Sequence, residues 1–143
     1  MPADGQVVTC EIDPERAEIA LANVARAGLA ARVELRLGPA LETLPKLEAE
    51  AGAPFDLVFI DADKRNSAAY LDWSLKLTRP GSAIIADNVV WNGAILGGAR
   101  DNEGGEGARR LFDRMSGEQR LSATAIQTVG SKGWDGFALA LVE

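Results

Sequence analysis

The spacing of apolar and polar positions changes several times along the chain, and each change marks an element. Residues 6–13 (Gln-Val-Val-Thr-Cys-Glu-Ile-Asp) read as a strand that ends in acids. Asp13 then holds the position of a helix N-cap, and Pro14 that of a first helical residue. From Glu15 to Ala27 the apolar residues Ile19, Ala20, Leu21, Ala22 and Val24 fall at helical spacing, and Gly28 ends the run. Val33 to Leu37 predicts a second strand, followed by Gly38-Pro39. Ala40 to Ala51 predicts a helix, with Pro45 early in it or between two pieces. After the Ala53-Pro54 break, Phe55 to Asp61 is almost continuously apolar, the signature of a strand buried on both faces. Asn66 to Thr78 predicts a helix stopped by Arg79-Pro80-Gly81, and Ser82 to Asp87 the next buried strand. A loop rich in Gly and Asn follows from Asn92 to Gly107, then a helix from Ala108 to Met115. Ser122–Val129 and Gly136–Val142 close the chain as two strands, joined as a hairpin through Gly130–Asp135.

The order is therefore β-α-β-α-β-α-β-loop-α-β-β. Strand–helix alternation predicts an α/β fold: a mostly parallel, doubly wound sheet with helices on both faces. The two adjacent strands at the end predict an antiparallel edge. The 143 residues suit one domain, 1–143, with one core. No repeat, low-complexity stretch or linker divides them.

Composition narrows the chemistry. The chain has no histidine, which excludes Ser-His-Asp and Cys-His nucleophilic machinery and any imidazole-ligated metal. Its one cysteine, Cys10, excludes an intrachain disulfide and a cysteine-rich metal site. The formal charge is −6, with no long basic stretch, so no nucleic-acid partner is expected. No apolar run approaches the ~20 residues of a membrane span. The opening Met1-Pro2-Ala3-Asp4-Gly5 does not read as a signal peptide, and a cytoplasmic setting is expected. What remains for chemistry is carboxylates, amides, lysine, hydroxyls or a bound cofactor.

Open parallel sheets bind ligands at the carboxyl ends of their strands. There the sequence places Glu11, Gly38-Pro39-Ala40, Asp61-Ala62-Asp63-Lys64 and Asp87-Asn88. Glu11 fits either the two hydroxyls of a ribose or a solvated acid beside a helix start. Asp61, Asp87 and Asn88 are hard oxygen donors suited to Mg²⁺ or Ca²⁺, or else acids that cap loops. Lys64 fits a general base beside such a cation, or a surface lysine paired with Asp61 or Asp63. The Gly93–Gly98 segment lacks the strand-to-helix context and the Gly-Lys-Ser/Thr of a phosphate loop, and reads as a mobile loop near the site. Trp91 reads as pocket lining or as packing; Trp73 and Trp134 read as packing.

Taken in order, these segments resemble the cation-dependent, S-adenosylmethionine-dependent O-methyltransferases of the catechol and caffeoyl-coenzyme A type, especially their small bacterial members. The matching stretches are residues 8–14, 38–40, 55–64, 79–81 and 87–91, with the closing Lys132-Gly133-Trp134-Asp135-Gly136. The resemblance implies a Rossmann-like class I methyltransferase sheet. It implies that Glu11 holds the cofactor's ribose hydroxyls, that Ala40 lies against its adenine, that Ile12 and Gly38 also bind the cofactor, and that Asp61 lies near its methionine portion. It implies that Asp61, Asp87 and Asn88 bind Mg²⁺, Mn²⁺ or Ca²⁺, and that Lys64 is the general base. The implied substrate is a phenol with two adjacent hydroxyls, both of them chelating the cation. A free phenol has a pKa of ~10, so a divalent cation on its oxygen is what makes phenolate accessible near neutral pH.

The sequence departs from that family in one respect. Family members carry, before the strand at Val7–Ile12, helices and a further strand with a glycine-rich turn. That strand is central in their sheet, between those ending at Glu11 and Asp61. Three expectations follow: a shortened version of a longer chain, flanking strands that close the gap, or a homodimer in which a second copy completes the sheet by strand swapping. Two other functions fit the departure: a non-catalytic binding or assembly module that has lost the cofactor, and a dinucleotide-dependent oxidoreductase using Glu11. The missing glycine fingerprint and the Asp87-Asn88 pair count against the latter.

Overall fold

The computed structural model describes residues 2–50, 52, 54–98, 102–131 and 133–143. The chain forms two compact units, Met1–Glu50 and Ala51–Glu143.

The first unit is β1 (Val7–Glu11), α1 (Pro14–Arg26), β2 (Val33–Leu37) and α2 (Ala40–Glu50). β1 and β2 pair in parallel, with Val7 opposite Val33 and Glu11 opposite Leu37. Parallel pairing needs a crossover, and α1 supplies it. The helix starts where the cap demands: Glu15 N donates to Asp13 Oδ1 at 2.9 Å, with Pro14 in the first turn. α2 runs through Pro45 as one helix rather than two pieces. Ala51, the expected last residue of that helix, lies outside the described residues. Among the described residues of this unit only Ala17 and Thr43 are buried, while Ile12, Ile19 and Leu37 are exposed. The unit rests on its ladder and caps more than on an enclosed core.

The second unit is β3 (Phe55–Ile60), α3 (Ser67–Leu77), β4 (Thr78–Asp87), α4 (Glu103–Ser116), β5 (Leu121–Gly130) and β6 (Gly133–Val142). Its four-stranded sheet has the order β3-β4-β6-β5. β3 and β4 run parallel, and β6 is antiparallel to both β4 and β5, which is the expected antiparallel edge. β1 and β3 belong to different sheets. Alternation sets the core. Ser82, Ile84 and Ala86 of β4 and Ala138, Ala140 and Val142 of β6 are buried, as are Leu71 and Leu75 of α3 and Leu111 and Met115 of α4.

Several expectations need correction. β3 is not buried on both faces: Ile60 is buried, but Leu57 and Phe59 are 56% and 59% exposed. By strand alternation they lie on the face opposite Val58 and Ile60. β4 begins at Thr78 rather than Ser82, because Thr78 pairs with Phe55 and the Ser82 hydroxyl donates to Phe55 O at 2.8 Å. The Arg-Pro-Gly that stops α3 is thus itself part of a strand. α4 begins at Glu103, not Ala108, although Gly104, Gly105 and Gly107 are poor helix formers. Asn102 caps it, accepting from Gly105 N at 2.8 Å, and close packing against the glycines repays their low propensity. The stretch expected as a mobile loop contains a kinked 3-10 turn, Trp91–Leu96, in which Gly93 and Ala94 are buried. The closing hairpin is tighter than expected, with Gly130 opposite Gly133; Lys132 lies outside the described residues. No described helix is long and apolar enough to cross a membrane.

After α4, Glu118 accepts hydrogen bonds from Arg120 Nε at 2.9 Å and Arg114 Nη2 at 3.0 Å. These bonds, Arg120's first, hold its carboxyl at a pKa of about 2 instead of the usual 4.5. A carboxyl depressed on folding stabilises the folded state above its unfolded pKa and loses that stabilisation as pH falls toward the folded value. Glu118→Gln should therefore melt with a shallower pH dependence than the parent between pH 4.5 and about 2. Parallel melting curves through that window would show that the arginine bonds contribute nothing net.

Candidate active site

In the first unit, the carboxyl ends of β1 and β2 are tied together. Gly38 N donates to Glu11 O at 2.8 Å, and Gly38 has φ +132°, a backbone that favours glycine. Glu11, Ile12, Gly38 and Ala40 therefore gather at one end of the parallel pair. Asp13 N donates to Glu11 Oε1 at 2.8 Å, which holds the carboxylate at the strand tip. Ile12 is exposed, and Ala40 opens α2. Sequence reasoning missed Thr43. Its buried hydroxyl donates to Ala40 O at 3.1 Å and lies 3.3 Å from Cys10 Sγ, anchoring the start of α2 on β1. A threonine inside a helix carries no such signal, because the partner on β1 is invisible in local sequence.

In the second unit, the parallel strands β3 and β4 run into Asp61 and Asp87, and one side chain touches both residues. Lys64 Nζ is 3.0 Å from Asp61 Oδ1 and 3.0 Å from Asp87 O, and its side chain is only 11% exposed. Lys64 is thus paired with Asp61 and half-buried. Asp87 Oδ1 accepts from Asn88 N at 2.7 Å, and Asn88 takes φ +53°, a strained conformation that asparagine tolerates better than most residues.

Asp61, Asp87 and Asn88 offer two carboxylates and one amide oxygen. Among the described residues no three His, Cys, Asp or Glu side chains form a metal cluster, so a three-donor set here would need the Asn88 amide oxygen. That donor set fits Mg²⁺, Mn²⁺ or Ca²⁺, which take oxygen ligands and complete their shells with water or ligand oxygens.

The neighbouring segment is braced from β6, which sequence reasoning also missed. Asp135 Oδ1 accepts from Val90 N, Trp91 N and Gly136 N at 3.1, 3.1 and 2.9 Å. Asp135 Oδ2 accepts from Asn88 Nδ2 at 3.2 Å, and Asn92 Oδ1 accepts from Trp134 N at 2.9 Å. In sequence, Asp135 and Gly136 read only as part of the turn and of the closing stretch that resembles the family, with no role at the site. Trp91 and Asn92 also have positive φ, at 53° and 50°. The Trp91 ring lies against Gly104, where a Cβ would stand 2.8 Å from the indole. Beside it opens a cleft of about 390 Å³, lined by Asp63, Lys64 and Arg65 and by Trp91, Asn102 and Glu103. Its volume suits a small aromatic ligand. Asp63 is committed to its own turn, accepting from Asn66 Nδ2 at 2.7 Å and from the Tyr70 hydroxyl. Trp73 packs under Lys76, whose Nζ is 4.0 Å from the ring centroid.

Comparison with known proteins gives consistent matches. A family model described as O-methyltransferase matches residues 1–141. A catechol O-methyltransferase of Mycobacterium tuberculosis is 56% identical over 138 residues, covering 96% of this chain and 61% of that one. A catechol O-methyltransferase of Niastella koreensis is 42% identical over 143 residues, covering 100% of this chain and 65% of that one. The crystal structure of an O-methyltransferase from Bacillus cereus in complex with SAH superposes with a TM-score of 0.95 at 48% identity, over 100% of this chain and 65% of that one. The chain thus spans less than two thirds of the length of these relatives.

Proposed function

The chain belongs to the O-methyltransferase family, and from that premise we propose that it acts in methyl transfer from S-adenosylmethionine to one hydroxyl of a catechol-like phenol. The observation that carries this reading is the junction of Asp61, Lys64 and Asp87, where a half-buried lysine amino group joins the ends of two parallel strands beside Asn88. Asp61, Asp87 and Asn88 would hold a divalent cation, with Mg²⁺ the first choice. Once bound, that cation lowers the cost of negative charge on a phenol oxygen.

The protein's own groups have separate tasks. Glu11 would accept hydrogen bonds from ribose hydroxyls, and Ile12, Gly38 and Ala40 would line the cofactor's adenosine end. Asp61 would also lie near the cofactor's methionine end. Lys64 Nζ, as the neutral amine, would take the phenol proton as the oxygen forms its new bond to the methyl carbon and the carbon–sulfur bond breaks. The sulfonium would leave as a neutral thioether and its positive charge would reappear on the protonated Lys64, so charge and atoms balance. Trp91 and the cleft beside it would seat the ring. Holding both reactants in register can contribute ~7–11 kcal/mol to lowering the barrier. We include a homodimer in a cytoplasmic setting in this reading; sedimentation tests the dimer.

The test is calorimetric titration of the 143-residue chain with S-adenosylhomocysteine and, separately, with Mn²⁺. Binding of both is expected, with Asp87→Ala weakening Mn²⁺ at least ~10-fold. Adding EDTA should abolish methyl transfer to catechol. A folded chain that binds Mn²⁺ but no S-adenosylhomocysteine would favour the binding-module reading. Unchanged Mn²⁺ affinity in Asp87→Ala would remove the cation assignment.

A further inference from the structure

We propose that Asp135 is a positioning residue that fixes which end of the Asn88 amide faces the cation site, and so supplies that site with its third oxygen. The inference rests on the reading of Asp61, Asp87 and Asn88 as cation ligands. Only one end of an asparagine amide can ligate a hard cation: the oxygen has lone pairs to give, and the NH₂ group does not. A carboxylate, conversely, only accepts. Asp135 Oδ2 lies 3.2 Å from Asn88 Nδ2. Turning the amide over would bring two acceptors together, so the carboxylate selects the orientation in which Asn88 Oδ1 faces away from Asp135.

The carboxylate is itself held. Its Oδ1 accepts from the amides of Val90, Trp91 and Gly136, so it cannot rotate without abandoning three hydrogen bonds. The Asn88 backbone is fixed from both sides, by Asn88 N on Asp87 Oδ1 at 2.7 Å and by Val89 N on Gly136 O at 3.0 Å. Those bonds secure an unusual φ of +53°. A residue needed only to cap the turn would be fully used by the three backbone amides. The Oδ2 contact with a side chain is what a turn cap does not require.

The test uses the whole chain and Mn²⁺, with free Mn²⁺ read by electron paramagnetic resonance. In Asp135→Asn the new amide oxygen can still accept from the three backbone amides, so the melting temperature should stay near that of the parent. The new NH₂ group, however, opposes the Asn88 NH₂ group. Asn88 must turn over, presenting nitrogen to the cation, and Mn²⁺ affinity should fall about 10–100-fold. The double variant Asp135→Asn with Asn88→Asp reverses the pair: the new amide donates to the new carboxylate, an oxygen again faces the site, and affinity should return. Parental affinity in Asp135→Asn would reduce Asp135 to a turn cap and overturn the proposal while leaving the cation site standing. A weakened single variant that the double fails to restore would overturn the orientation argument. A parent chain that binds no Mn²⁺, or an Asp87→Ala chain that binds it equally well, would remove the underlying site and the proposal with it.

Discussion

Gly107→Ala should destabilise the second unit by roughly 3 kcal/mol or more, lowering its melting temperature by about 10 °C or more. The reason is backbone contact. A Cβ at this position would stand 2.1 Å from Lys64 O and 2.5 Å from Lys64 C. Neither atom is the end of a flexible side chain, so relief requires α4 or the Lys64–Asn66 turn to move bodily. Overpacking of well-fitted sites typically costs ~1–3 kcal/mol, and a clash with main chain lies at the upper end of that range or beyond. Gly117→Ala is the matched control: its nearest neighbour, Asp113 O, would lie 3.6 Å from the new carbon, an ordinary contact. Thermal melts followed by circular dichroism decide the matter. Equal melting temperatures for the two variants would mean that α4 slides without cost.

Leu71→Ala should be nearly as damaging, costing about 2–5 kcal/mol through the lost transfer free energy and the cavity left behind. Leu71 sits on the inner face of α3 and is 0% exposed, as is Ile84 on the central strand β4. α3 packs on both β4 and α4, so collapse around the cavity would have to drag two elements with it. In urea the midpoint should fall while the slope stays constant. Leu96→Ala removes the same atoms from a side chain that is 82% exposed and should change stability by less than ~0.5 kcal/mol. A Leu71→Ala midpoint matching that of Leu96→Ala would mean that the core is far looser than its burial indicates.

The parts of the molecule that local sequence determines were legible. Asp13-Pro14 announced α1, strand–helix alternation announced parallel pairing, and two adjacent terminal strands announced the antiparallel edge. The acids at strand ends pointed to Asp61, Lys64, Asp87 and Asn88, and the structure joins Asp61 and Asp87 through Lys64. What escaped depended on partners distant in the chain. Asp135 gains its meaning from Asn88, 47 positions away, and Thr43 from Cys10, 33 positions away. The start of α4 escaped because its glycines look like loop residues until Lys64 O, Ala94 O and the Trp91 ring are seen against them. The near-continuous apolar run of β3 suggested two covered faces, yet a run of that kind records only hydrophobicity and not what lies above it.

The sparse interior of the first unit has a consequence for hydrogen exchange. With only Ala17 and Thr43 buried among its described residues, little apolar area is lost when β1 and β2 part. Opening free energy tracks such burial, so the amides of that two-stranded ladder should exchange through a partial opening well below the global one. The amides of β4 and β6, flanked by Ile84, Ala138 and Ala140, exchange only when the larger core gives way. Glu11 and Gly38 would thus sit on a ladder that opens more readily than β4 and β6. A ligand held there protects it by mass action, closing the ladder by RT ln(1 + [L]/Kd) and slowing exchange at β1 and β2 before any other strand responds.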